Sequence, residues 1–311
     1  MIHRKIRIVL RLIDAVDKKS CYLRMSTEEL NMFRVDDNRI LEYSPKSFLN
    51  LRRLFGTTSL NLDHRYIFNS KVHSNSGSIF FFSSDFKYII KTIRENERRT
   101  LIEFIDRYYA YIKQNPNTLL SKILGCYALE SVSFCALGCV GMDCTHRYNV
   151  LIMKNIFRDT KIDRIYDLKG KDLHRTTNSY IKKDIEWCKD ANKPIISQER
   201  LGQMQKDVQF LAGNNIMDYS LLVYYTGPER DTHFKLYDGD NNDVYKASIT
   251  NPETCEYAFG IVDILTQYTC LKKTEWMCNT FCLCKNKSSL NPKDYADRLL
   301  KIVEDTFIVK E

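Results

Sequence analysis

Glycine and proline are scarce in this chain, 11 and 6 among 311 residues. Long flexible or extended linkers are rich in one or the other, so the composition argues against them. No stretch of 18 consecutive apolar residues occurs, which leaves no helix predicted to cross a bilayer. A secretory pattern is also missing, because MIHRKIRIVLRLIDAVDKKS has neither an apolar core nor a small-residue cleavage site. The 11 cysteines are therefore expected as free thiols in a reducing compartment. Their spacings, Cys135/Cys139/Cys144 and Cys278/Cys282/Cys284, lack the paired CxxC of a zinc site. No internal repeat is visible.

What is present is ordinary globular material, 44% hydrophobic and 28% charged, enough for one large domain or two lobes. The formal charge of +8 suits an anionic partner, whether membrane surface, nucleic acid or phosphorylated ligand. Residues 1–19 show a helical pattern with Ile2, Ile6, Val9, Ile13 and Val16 on one stripe and a net charge of +4 from six Lys/Arg against two Asp. Such a segment can lie on an anionic membrane, or pack as a domain or homodimer element. The run IFFFSSDFKYIIKTI (79–93) predicts a hairpin. From Glu95 to Lys113 the period becomes helical, with Leu101, Ile105, Tyr108 and Ile112 on one face and Pro116 just beyond. Strands are predicted at 148–153, 162–169, 214–225 and 257–265, helices at 197–213 and 291–308, and a polar loop at 226–254. The fold class is α+β.

Four features carry chemistry. Ser76-Gly77-Ser78, ahead of a strand, would let backbone N–H groups approach a phosphate; alone, such a triplet is most often a plain turn. Lys91 stands inside the apolar strand YIIKTI, where a lysine needs an anionic partner. A glycine-containing loop followed by a strand lysine follows protein-kinase logic, yet the sequence has no HRD and no DFG triplet, which disfavours a standard protein kinase. Asp218 in IMDYSLL and Asp263 in GIVDIL are lone acids among apolar residues. Together with the lysine and the loop they suggest metal-assisted phosphoryl transfer. No motif supports nucleic-acid binding.

The motifs IYDLKG (165–170), IMDYSLLV (216–223) and GIVDIL (260–265), in this order, resemble the signature of the phosphatidylinositol-phosphate kinases. YSPKSFLNLRRLFG (43–56), SGSIFFFSSDFKYIIKTI (76–93), NPNTLLSKILGCY (115–127) and NPKDYADRLLKIVEDTF (291–307) extend the likeness over roughly residues 40–308. The resemblance implies a two-lobed fold of antiparallel sheets with helices, related to protein kinases. On this reading 1–39 is an N-terminal basic amphipathic segment, 40–155 the N-lobe and 156–311 the C-lobe. It implies ATP and Mg²⁺ as cofactors. Ser76, Gly77 and Ser78 form the ATP phosphate loop and Lys91 is the ATP-binding lysine. Lys169 faces a phosphate, Asp218 is the catalytic acid and Asp263 the metal-binding acid. Arg175 faces the substrate's phosphate, a task suited to a guanidinium fork. Glu97 is the guessed partner of Lys91.

The family's choice of lipid is assigned to a segment that here spans 267–292, with Lys272, Lys273, Lys285 and Lys287 against Glu275, and with Trp276, Met277, Phe281 and Leu283 among them. Glu275 resembles the acid of the 4-phosphate 5-kinase branch. The implied reaction is phosphorylation of phosphatidylinositol 4-phosphate on its 5-hydroxyl by a cytoplasmic protein peripheral to the cytoplasmic face of anionic, phosphoinositide-bearing membranes. A 5-phosphate 4-kinase, a 3-phosphate 5-kinase and a phosphoinositide-binding pseudokinase are the alternatives. The chain departs from the pattern at Lys171, where serine is usual, and at Cys278, Cys282 and Cys284, which replace basic residues. DGDNND (238–243) imitates a calcium loop but has Asp243 where that loop needs glycine.

Overall fold

The computed structural model describes residues 22–26, 29–35, 38–57, 60, 66–68, 78–83, 87–133, 144–156, 164–170, 181–191, 193–226, 256–268 and 290–310. The chain divides into two compact units. One takes the described residues up to Lys113 together with Lys122–Asn155, the other Gln114–Ser121 and the residues from Ile156 onward. The helix expected at 1–19, the loop at 226–254 and most of segment 267–292 lie outside the described residues.

The first unit is built on an eight-stranded sheet in the order β1-β2-β3-β7-β8-β6-β5-β4, antiparallel throughout. Its strands are β1 (Tyr22–Ser26), β2 (Leu30–Val35), β3 (Asn38–Tyr43), β4 (Tyr66–Phe68), β5 (Phe80–Ser83), β6 (Tyr88–Ile93), β7 (Ile123–Ser133) and β8 (Cys144–Lys154). The expected pairing of 79–83 with 88–93 is present, with Phe80 opposite Lys91. Strands β1 and β2 occupy residues that the sequence assigns to the N-terminal segment. They form an antiparallel meander with β3, and β3 in turn pairs with the distant β7, which joins the meander to the rest of the sheet.

Two helices accompany this sheet. Helix α1 (Pro45–Leu54) starts with proline, whose fixed φ suits the first helical position, and buries Phe48 and Leu51. Arg52 at its end is also buried and donates to the Leu124 carbonyl at 3.1 Å. Helix α2 (Glu95–Gln114) places Glu95 and Glu97 in its first turn, where the helix dipole favours negative charge. Leu101, Phe104, Ile105, Tyr108 and Ile112 are its buried stripe, as the 3.6-residue period requires.

The second unit has a four-stranded sheet in the order β10-β9-β13-β14, made of β9 (Arg164–Leu168), β10 (Ile181–Lys182), β13 (Ser220–Thr226) and β14 (Glu256–Val262). β9 and β10 are parallel; the other pairs are antiparallel. Short ribbons join β11 (Ile195–Ser197) to β16 (Ile308–Lys310) and β12 (Ile216–Met217) to β15 (Thr266–Gln267). The helices are α3 (Asp184–Lys189), α4 (Gln198–Gly213) and α5 (Pro292–Thr306). Ser197 caps α4 by accepting from the Arg200 amide, and Asn291 caps α5 by accepting from the Asp294 amide. Trp187 anchors the core, with ring centroids 5.0 Å from Tyr166 and 5.5 Å from Phe307, and its indole donates to Thr306.

The 114–121 segment belongs to this second unit because a buried acid holds it there. Asp207 on α4 is fully buried and accepts from the Thr118 hydroxyl and the Leu119 amide, both at 2.7 Å, and from Gln203 at 2.9 Å. The segment then runs beside β14: Ile261 donates to the Leu119 carbonyl, and the Ser121 amide and hydroxyl both reach the Ile261 carbonyl. Removing the carboxylate strands several buried donors. Asp207→Ala is expected to lower stability by about 3 kcal/mol, seen as a lower urea midpoint at constant slope. A change under about 0.5 kcal/mol, the size of an ordinary surface substitution, would show that these bonds do not hold the segment.

Candidate active site

In the first unit, Lys91 lies on β6 between β5 and β8 and is 4% exposed. Its ammonium is 3.9 Å from Glu97 Oε1 and 5.7 Å from the Phe80 ring centroid. A buried lysine is costly without an anion nearby, and Glu97 supplies one. Arg98 and Arg99 identify which helix acid is available. Both guanidinium groups engage Glu95, Arg98 at 2.6 and 3.0 Å and Arg99 at 3.2 Å, and Asn149 donates to it as well. The Arg98 hydrogen bonds, first among several causes, hold the Glu95 carboxyl down at about 2. Glu95 is thus committed to the arginines, and Glu97 to Lys91 and the Arg94 amide. Ser78 is buried beside β5; Ile79, next to it, exchanges hydrogen bonds with Thr92, the neighbour of Lys91. Ser76 and Gly77 lie outside the described residues.

In the second unit, strand register brings the other residues to one end of a sheet. Leu168 of β9 pairs with Leu221 of β13, and Ser220 of β13 pairs with Val262 of β14. The strands are antiparallel, so Lys169 leaves β9, Asp218 precedes β13 and Asp263 follows β14 at the same edge. The sequence reads 214–225 as one strand. The structure divides it: β12 ends at Met217, β13 begins at Ser220, and Asp218 between them has φ 61°. Asp263 has the same φ of 61°, between β14 and β15. A left-handed residue cannot continue a ladder, so both strands break at these acids and pair again as the β12–β15 ribbon. Aspartate visits this region more readily than most residues but still at a cost, and strained backbone concentrates at functional positions. Asp218 is half-buried and Asp263 exposed.

Lys169 reaches across this edge and donates from Nζ to the Asp218 carbonyl at 2.5 Å. Its own amide and that of Gly170 donate to Asp184, and its carbonyl accepts from Arg298 at 3.2 Å. Sequence reasoning missed Asp184, because KKDIEW is a mixed charged run with nothing to mark one acid as buried. Arg175, Lys171, Lys272, Lys273, Glu275 and Trp276 lie outside the described residues. Among the described residues no cluster of three or more metal-binding side chains occurs, and no helix is long and apolar enough to cross a membrane.

Tyr219, between the two strands, is fully buried. Its carbonyl accepts from the Tyr295 hydroxyl, and its ring meets that of Tyr295 edge-on at 4.8 Å. Its own hydroxyl is buried with no hydrogen-bond partner among the described residues, and burial pushes its pKa above the ordinary tyrosine range. An unsatisfied buried hydroxyl is a net cost, so Tyr219→Phe is expected to raise stability by about 1 kcal/mol. A fall in melting temperature would mean that the hydroxyl is bonded in solution.

The family model described as phosphatidylinositol-4-phosphate 5-kinase matches residues 63–239 and 224–306. The chain belongs to this family of phosphatidylinositol phosphate kinases. Its relatives include phosphatidylinositol 4-phosphate 5-kinase its3 of Schizosaccharomyces pombe, 32% identical over 206 residues, covering 60% of this chain and 26% of that protein. The human phosphatidylinositol 4-phosphate 5-kinase type-1 beta is 25% identical over 331 residues, covering 88% and 59%. The chicken phosphatidylinositol 5-phosphate 4-kinase type-2 alpha is 27% identical over 322 residues, covering 84% and 76%. The chain spans about a quarter of the length of the yeast relative. Relatives named as 5-kinases and as a 4-kinase both share its sequence.

Proposed function

We propose that this chain transfers the γ-phosphate of ATP to the 5-hydroxyl of phosphatidylinositol 4-phosphate, giving phosphatidylinositol 4,5-bisphosphate at a membrane surface. The observation that carries the reading is the placement of two left-handed acids, Asp218 and Asp263, with Lys169 at one edge of the β9–β13–β14 sheet. The two units would correspond to the lobes of a kinase-like fold, the first gripping the nucleotide through Ser76–Ser78 and Lys91.

In the reaction the inositol hydroxyl oxygen attacks the γ-phosphorus. The bond from that phosphorus to the bridging oxygen breaks, its electron pair leaving with ADP, and the hydroxyl proton passes to the Asp218 carboxylate. A sugar hydroxyl is far too weak an acid to ionise beforehand, so Asp218 orients it and accepts the proton late. Lys169, tied to the Asp218 carbonyl, would place its positive charge against the transferring phosphate. Mg²⁺ prefers oxygen ligands and is commonly held by one or two carboxylates plus phosphate oxygens and water. Asp263, exposed at the strand end, fits that donor set with Asp218 as its neighbour across the sheet edge. When bound, the ion neutralises charge on the nucleotide phosphates. Arg175 and Lys171 would bind the lipid's existing phosphate. Lys272, Lys273, Glu275 and Trp276 would select the lipid and meet an anionic bilayer, where each lysine gains about 1 kcal/mol.

The chicken 4-kinase relative, matched over 84% of this chain, supports a second reading, transfer to the 4-hydroxyl of phosphatidylinositol 5-phosphate. The two are separated by assaying vesicles that carry each monophosphate in turn and identifying the position of the new phosphate. The 5-kinase reading requires the 4-phosphate to be the preferred substrate. Preference for the 5-phosphate, with product labelled at position 4, overturns it. Glu275→Ala is expected to relax this preference while leaving ATP hydrolysis intact; an unchanged profile would remove Glu275 from lipid selection.

A further inference from the structure

We infer that Asp184 is the positioning residue for Lys169. Asp184 opens α3 and is 2% exposed. One of its oxygens, Oδ1, accepts two successive backbone amides, that of Lys169 at 2.9 Å and that of Gly170 at 2.8 Å. Gly170 is left-handed at φ 69°, and a Cβ there would meet the Arg298 carbonyl oxygen at 2.4 Å, so the turn lies flush against α5. The neighbouring residue reinforces the link: the Lys183 ammonium donates to Asp167 on β9. The α3 start therefore clasps the end of β9 at three residues, Asp167, Lys169 and Gly170.

The consequence lies at the lysine. Its amide is held by Asp184, its carbonyl by Arg298, and its ammonium ends on the Asp218 carbonyl. A long side chain launched from a fixed backbone explores less space than one launched from a free loop. Adjacent amides in a turn also form a concavity that binds anions. Asp184 fills it from within the chain, which keeps a substrate phosphate off the backbone and leaves it to the Lys169 ammonium.

This inference rests on the proposed role of Lys169 in the reaction, and the test separates the two. Asp184→Ala and Asp184→Asn are made in the parent and in Lys169→Met, with melting temperatures recorded. Each is assayed with radiolabelled ATP on vesicles of phosphatidylcholine carrying phosphatidylinositol 4-phosphate. Misplacing a reacting group by an ångström can cost about 10²-fold, the drop in kcat expected of Asp184→Ala in the parent. Asparagine keeps an acceptor oxygen for both amides, so Asp184→Asn should recover most of the rate. In the Lys169→Met background, Asp184→Ala should cost less than about twofold further, since groups acting as a unit are not additive. An equal loss in both backgrounds, or an asparagine variant as slow as alanine, overturns the inference. Should Lys169→Met keep the parent rate, the role of Lys169 falls instead. Amide hydrogen exchange then decides the tether alone: faster exchange at Lys169 and Gly170 in Asp184→Ala supports it, and unchanged protection overturns it.

Discussion

Asp263→Asn is expected to lower phosphoryl transfer by at least about 10²-fold, the scale seen when a preorganised electrostatic contact is lost, while the melting temperature stays within a degree or so. The reasoning has two parts. A neutral amide is a poor ligand for a hard divalent cation, so the nucleotide phosphates lose their charge partner. Asparagine tolerates the left-handed conformation as well as aspartate does, so the break between β14 and β15 at φ 61° survives the change. Asp263→Gly is the companion variant. It removes the same charge and relieves the backbone, so it should be equally slow yet more stable by up to about 1 kcal/mol. Titration of activity with Mg²⁺ and thermal unfolding measure the two effects. An asparagine variant with more than about a tenth of the parent rate, far above what electrostatic loss allows, would place the metal elsewhere.

Asp218→Asn is expected to be nearly as severe, about 10²- to 10⁴-fold in kcat, the contribution typical of a positioned general base. The KM for ATP should change little, because the nucleotide grip is assigned to Lys91 and the loop before it. The amide keeps the hydroxyl within hydrogen-bonding reach but cannot take its proton. The Asp218 carbonyl, which receives the Lys169 ammonium, is untouched by the substitution. A large rise in the KM for ATP with kcat preserved would instead assign Asp218 to nucleotide binding.

Much of this site was legible in the sequence, for reasons tied to particular residues. Lys91, Asp218 and Asp263 stood out because a charge inside an apolar run must have a partner or a task. The three long helices were expected at 95–113, 197–213 and 291–308, the first from its 3.6-residue period and Pro116 beyond its end, and the structure has them at Glu95–Gln114, Gln198–Gly213 and Pro292–Thr306. Glu97 was a guess in the sequence because four charged residues crowd the first turns of α2. It became definite only when geometry showed Arg98 and Arg99 turned to Glu95. The break in 214–225 was hidden, since a single dihedral angle, not the apolar pattern, ends β12. Strands β1, β2 and β7 escaped as well, and the β3–β7 pairing that joins β1–β3 to the rest of the sheet spans about 90 residues of chain, Asn38 opposite Ser131. Asp184 and Asp207 escaped because each sits in a polar run, and only the fold buries them.

The most direct test of the account is transfer of label from radiolabelled ATP to vesicles bearing phosphatidylinositol 4-phosphate, run with the parent chain and Asp263→Asn side by side. The account predicts label in a phosphatidylinositol bisphosphate, dependent on Mg²⁺ with the parent and nearly absent with the variant. Binding of ATP and of the vesicles by the parent, with no label reaching the lipid, would contradict it and leave a phosphoinositide-binding protein in place of a kinase.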